Sequence, residues 1–213
     1  MNDETLNKLK PFIYGKLLGD ATLEKTKKAT HNSRMKIKHK LDHKEYVEQC
    51  YYRIHNFSTK LYIDKSTRTY KGITKHHKSW CFKTKAMEIW TTLRQDWYRE
   101  DGEKGLPSDL KDHFNWETVA YWYMDDGSLV QSTKNYYEMF FYTNNFLDYE
   151  VDTLVNLLQY LGVKSAYKRQ DRSRKDGRPC YIIRVGKMED EKLIIDNIRQ
   201  FIPSCLHYKI RIP

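Results

Sequence analysis

The chain has 213 residues, 39% hydrophobic and 31% charged, enough for one large domain or two fused halves of about 100 residues each. Its net charge of +10 points to a polyanionic partner, either nucleic acid or an anionic membrane face. No apolar run approaches the ~20 residues needed to span a bilayer, and the opening Met1-Asn2-Asp3-Glu4 resembles neither a signal nor a transit peptide. The expectation is an intracellular protein without a membrane partner. Its four cysteines, Cys50, Cys81, Cys180 and Cys205, are scattered with no CxxC and are expected to be reduced.

Residues 3–20 predict a helix that closes on Ile13-Tyr14-Gly15-Lys16-Leu17-Leu18-Gly19-Asp20-Ala21. A carboxylate at the C-terminal end of a helix faces the negative end of the dipole, at a cost of about 0.3–1 kcal/mol. One such aspartate is ordinary turn chemistry. A second stretch, Val119-Ala120-Tyr121-Trp122-Tyr123-Met124-Asp125-Asp126-Gly127, ends the same way. Two at matched places need a reason, and a shared divalent cation is a good one.

Ser33 to Lys40 alternates with period two, which predicts a half-buried strand. Arg34, Lys36, Lys38 and Lys40 share one face; Met35, Ile37 and His39 share the other. A solvated strand face is the bland reading of such a row. Four cations in line repel one another, however, and a phosphate backbone would relieve them, which favours a nucleic-acid-facing sheet. A helix is predicted over 42–55, with Asp42 as N-cap, Glu45 completing a capping box, and Tyr46, Val47, Cys50, Tyr51 and Ile54 as its apolar stripe. A hairpin over 60–84 follows, with Arg68, Lys71, Lys75 and Lys78 around a turn at Gly72. Thr84 is expected to cap a further helix bearing Ala86, Ile89, Leu93 and Trp97.

The polar stretch from Arg99 to Lys104 reads as a linker, dividing the chain into a half over 1–101, a linker over 102–112 and a half over 113–213. The order then repeats: motif helix, strand 136–144, helix 147–161, hairpin 165–186, helix 187–201. Within that hairpin Lys168, Arg169, Arg172, Arg174, Lys175, Arg178 and Arg184 crowd around Asp176-Gly177. Arithmetic supports duplication. Leu41-Asp42 lies 21 and 22 residues beyond Asp20, and Leu147-Asp148 lies 21 and 22 beyond Asp126. Pro107 and Pro203, in matching contexts, lie 87 and 77 residues beyond the two aspartates, so the second copy is about ten shorter, an expected loss from its hairpin. Each half reads αββαββα, an α+β pattern. The eight histidines, His76-His77 included, show no zinc-ligand spacing.

At these two stretches the chain resembles the LAGLIDADG homing endonucleases in their monomeric, two-motif form, over essentially the whole length from about residue 10. The resemblance implies two halves with saddle-shaped antiparallel sheets, packed through the two motif helices. Gly15 and Gly19 would let those helices approach; their counterparts Tyr121 and Asp125 make the packing large against small, with Asp125 a helix-end or packing residue. It further implies Asp20 and Asp126 as catalytic acids and metal ligands, with carbonyls of Ala21 and Gly127 as further candidates. Mg²⁺ is the implied cofactor, Mn²⁺ a substitute, and double-stranded DNA the partner, cut in both strands to leave 3′ overhangs. Two carboxylates and phosphate oxygens suit Mg²⁺. Lys209 resembles the basic residue that stabilises developing charge in single-chain members. Lys104 is its first-half candidate, at offsets of 84 and 83 residues from the two acids, but the proline echo leaves Lys111 a rival. The other function class is an intron RNA maturase or non-cleaving nucleic-acid binder on the same scaffold; retention of both acids favours the nuclease.

Overall fold

The structure is a computed structural model that describes residues 3–26, 32–70, 73–133, 136–171 and 177–210. One run of elements occurs twice. It begins as α1 (Asp3–Leu18), β1 (Thr22–Lys25), β2 (Ser33–Lys40), α2 (Lys44–Ile54), β3 (Tyr62–Tyr70), β4 (Ile73–Lys83) and α3 (Glu88–Trp97). After a short α4 (Leu110–His113) it recurs as α5 (Trp116–Asp126), β5 (Gly127–Thr133), β6 (Tyr136–Tyr142), α6 (Asp148–Tyr160), β7 (Ala166–Gln170), β8 (Tyr181–Val185) and α7 (Met188–Ile198). The strands build two antiparallel four-stranded sheets, ordered β1-β2-β4-β3 and β5-β6-β8-β7. The protein is therefore α+β, with two pseudo-symmetric αββαββα halves.

Compactness divides the chain differently from repetition. One unit holds residues 20–94 and 203–206; the other holds 2–19, 95–202 and 207–213. Helix α1 thus belongs with α5 rather than with the strands that follow it. The 102–112 segment is ordered, with Lys104 and Leu110 buried in the second unit.

In the first unit β2 follows its alternation: Ser33, Met35, Ile37 and His39 are buried, and the basic residues between them are half-exposed or exposed. Helix α2 covers the buried face with Tyr46, Val47, Cys50 and Ile54. Two expected caps do not form. Asp42 sits in a 3₁₀ turn over Leu41–His43 and pairs with Lys40 at 3.7 Å, and the N-cap of α2 is His43, without a side-chain cap bond. Glu45 instead accepts from Ser204 Oγ at 2.6 Å and from the amides of Ser204 and Cys205 at 3.2 and 3.0 Å. Three donors outbid one helix amide. Thr84 likewise bridges Ser58, and its hydroxyl accepts from the Met35 amide at 2.9 Å. Helix α3 therefore starts at Glu88, leaves Ala86 exposed, and buries Trp90, Leu93 and Trp97.

In the second unit α5 is buried on every side from Thr118 to Met124, as a helix through a core must be. Asn115 caps it, accepting from the amides of Glu117 and Thr118. Helices α6 and α7 cover one face of the second sheet. The shortening of the second repeat lies largely outside its hairpin. Helix α3 ends ten residues before Pro107, whereas α7 ends five before Pro203, so half of the loss falls after the last helix.

Candidate active site and nucleic-acid interface

Within the second unit the motif helices α1 and α5 meet at their C-terminal ends. A Cβ on Gly15 would lie 2.5 Å from the Thr118 carbonyl oxygen, and one on Gly19 would lie 2.4 Å from Asp125 Cβ. Neither neighbour can swing aside, so only glycine fits. The expected large-against-small seam is present. Its polar member is Asp125: Lys16 Nζ donates to Asp125 Oδ1 at 2.7 Å, and neither side chain has exposed surface. A lysine within an apolar helix gives no sequence signal of an inward partner, so this ion pair was not foreseen.

Each helix end is also held by a lysine. Lys104 Nζ donates to the carbonyls of Leu17 and Gly19 at 2.9 and 2.6 Å. Lys209 Nζ donates to Met124 O at 2.7 Å, Asp125 O at 3.2 Å and Gly127 O at 2.9 Å. A cation there satisfies terminal carbonyls and the negative end of the dipole together. The equal offsets from the acids, not the proline echo, therefore pick out the matching pair. Lys111 instead lies over the Tyr160 ring, 5.5 Å from its centroid. Gly127 is required sterically as well, because a Cβ on it would run into the Tyr123 ring. Its carbonyl, a candidate metal ligand, faces Lys209.

Gly19 and Asp125, which touch, immediately precede Asp20 and Asp126. Asp126 is the last residue of α5. Asp20 opens the first unit, half-exposed at the edge of an open cleft of about 460 Å³ lined by Lys36, Lys38, Lys40, His39 and His43. His39 Nδ1 stands 3.6 Å from Asp20 Oδ2, a charge contact rather than a hydrogen bond. The half-exposed carboxylate is a hard oxygen donor of the kind Mg²⁺ takes, so the residue fits the ion. Flanking ammonium groups favour a cation only together with a bridging phosphate.

The basic faces are less bare than the sequence suggests. Arg34, Lys36 and Lys38 share their face with Glu24 and Asp64. Glu24 lies 3.3 Å from both Arg34 and Lys36 and 3.0 Å from Lys83; Asp64 lies 2.7 Å from Lys38. Burial alone would raise the Glu24 pKa, but Lys83 and Lys36 outweigh it and hold the carboxyl below its ordinary value. Lys38 does the same for Asp64. The supposed self-repulsion of the row is thus partly cancelled by acids on neighbouring strands, which share its face by period-two phase. Lys75 is exposed on the Arg34 face, opposite Arg68 in the ladder. Lys78 is exposed but alternates to the Trp80 side, and Lys40 is exposed at the end of β2.

In the second sheet Arg169 and the following Arg178 are exposed, and Arg184 pairs with Glu138. Lys168 is a correction: it points to the helix side, bridging Asp148 and Asp152 of α6 at 2.6 and 2.7 Å. Lys71, Arg172, Arg174 and Lys175 lie outside the described residues. Among the described residues no helix is long and apolar enough to cross a membrane.

Two αββαββα repeats, joined through glycine-bearing helices that each lead into an aspartate and are each capped by a lysine, define a two-repeat α+β protein built around paired acids. The sequence profile of the LAGLIDADG DNA endonuclease family matches residues 10–193, and the chain belongs to that family. An uncharacterized protein of Methanocaldococcus jannaschii is 31% identical over 215 residues, spanning 98% of this chain and 76% of that protein. The cytochrome b mRNA maturase bI2 of Debaryomyces hansenii is 27% identical over 201 residues, spanning 93% and 72%. Among solved structures, the homing endonuclease I-WcaI bound to its DNA recognition sequence has a TM-score of 0.77 at 19% identity, over 97% of this chain and 87% of that one. I-DmoI in complex with DNA and Mn has a TM-score of 0.53 at 11% identity, over 91% and 97%.

Proposed function

We propose that this protein is a monomeric, site-specific DNA endonuclease that makes a divalent-metal-dependent double-strand break with 3′ overhangs at a long site. The observation that carries the reading is the paired construction of the seam: each acid follows a residue packed in it, and each helix end is held by its own lysine. Asp20 and Asp126 would hold Mg²⁺, for which Mn²⁺ could substitute, and the bound ion would activate water and polarise the scissile phosphate. Lys104 and Lys209 fix the helix ends that aim the two acids. The cations on the outer sheet faces bind the duplex backbone. Asp20→Asn and Asp126→Asn should each abolish linear product from a plasmid carrying the selected target while leaving specific binding intact. Loss of binding with either variant would make the acids structural and overturn the assignment.

A second reading is favoured by the similarity to a maturase of D. hansenii. On that reading the chain binds intron RNA, and splicing assistance should survive Asp20→Asn. The same variant decides between the two activities.

A further inference from the structure

The two sheets share a core and a register but not an outer face. Ladder pairs align them. Lys36 and Lys38 of β2, opposite Lys83 and Cys81, occupy the places of Phe140 and Tyr142 of β6, opposite Arg184 and Ile182. Glu24, opposite Arg34, occupies the place of Val130, opposite Glu138. Where the first sheet carries two lysines and an acid, the second carries two aromatic rings and a valine.

Those apolar groups are open on one side. Val130 is 44% exposed, Tyr142 40% and Tyr167 41%, while Phe140 and Ile182 form a buried floor between them. The opposite face of this sheet is covered by α6 and α7, so the outer face has no helix over it. It starts at Ser128, two residues beyond Asp126, and it carries cations. Arg169 is exposed opposite Ile182, and Arg184 lies over the Tyr167 ring at 5.9 Å while pairing with Glu138. An apolar surface edged by arginines and continuous with a catalytic acid suits a ligand that is apolar in patches and anionic at its margins. A duplex major groove is such a ligand only where thymines place their 5-methyl groups in it, since the other base edges there offer donors and acceptors.

We propose that the second sheet selects its half-site by contact with thymine methyl groups, whereas the first sheet selects by charged and polar contacts. The inference rests on the DNA-binding reading above. Replacing thymidine by deoxyuridine removes the methyl and leaves every hydrogen-bonding group of the base pair in place. A target is first selected from a randomised duplex library, and its halves are assigned by the positions whose preference changes in Val130→Ser. Deoxyuridine in the half assigned to the second sheet should then weaken binding by about fourfold per contacted methyl, with a smaller loss in the other half. Val130→Ser should flatten the difference, and Val130→Thr, which keeps one methyl, should restore part of it. Equal loss in both halves, or none, overturns the proposal while leaving DNA binding standing. Failure to select any duplex overturns the DNA-binding reading, and this proposal with it. Circular dichroism of each variant separates lost recognition from lost folding.

Discussion

Residues at the seam illustrate how narrow the tolerances are. Lys16 and Asp125 are buried together, so removing one strands the other charge away from water. Lys16→Met alone should cost on the order of 3–5 kcal/mol. The double variant Lys16→Met/Asp125→Leu should recover most of that, because the desolvation of both charges is removed with them. Urea midpoints of the wild type, both single variants and the double close the cycle; additive losses would show that the two side chains act independently. The lysines at the helix ends are testable in the same spirit. If each serves its own acid, Lys104→Met and Lys209→Met should each slow cleavage by about 10²-fold and make nicked circles accumulate from a supercoiled target. Equal slowing of both strands by either variant would contradict that one-to-one service.

At the level of elements, α7 carries an unusual burden beneath β6. Glu191 is 1% exposed, and its Oε1 accepts from the Met139 amide at 3.0 Å. Burial pushes its pKa up from 4.5 to about 7, against the pull of that amide, and nearby Glu138 adds to the rise. A carboxyl whose folded pKa lies above its unfolded value binds more protons when folded. Its unfavourable effect is therefore absent below about pH 4.5 and complete above about pH 7. Glu191→Gln should be more stable than wild type at pH 8.5, by up to about 3 kcal/mol, with the gap narrowing towards pH 5. Thermal melts at the two pH values check this, and a gap independent of pH would refute it. Much at this level was legible beforehand. The phase of β2 and the stripe of α2 are local patterns, and the sequence displays them. The caps at Asp42 and Thr84 misled because their oxygens were contested by partners far along the chain: Glu45 by Ser204, Thr84 by Met35.

For the whole molecule, the duplication was readable because its anchors are short and sterically constrained: glycines that admit no side chain and acids at fixed spacing. The lysine pair was readable from equal offsets. Ion pairs such as Lys16–Asp125 and Lys38–Asp64 join residues of distant sequence, and nothing local announces them. Those internal pairs bear on affinity. Binding to a duplex should fall steeply with salt, each neutralised phosphate contributing a slope near 0.9. Cations already matched by Glu24 and Asp64 should contribute less than exposed Lys75. Lys75→Ala should therefore weaken binding to all sequences alike and lower the slope by about one, as titrations from 50 to 200 mM salt would report; an unchanged slope would remove Lys75 from the interface.

The partnership of α1 with α5 has a consequence for biosynthesis. Lys16 is made 109 residues before Asp125, which at a ribosomal pace of about 5–20 residues per second is a wait of roughly 5–20 s. Through that interval Phe12, Ile13, Leu17 and the two glycines have no mate, and an oily, closely packing helix surface is open to any other nascent chain. The features that let the two helices join so tightly also make the interval before they join the time when the newborn polypeptide is most in need of a chaperone.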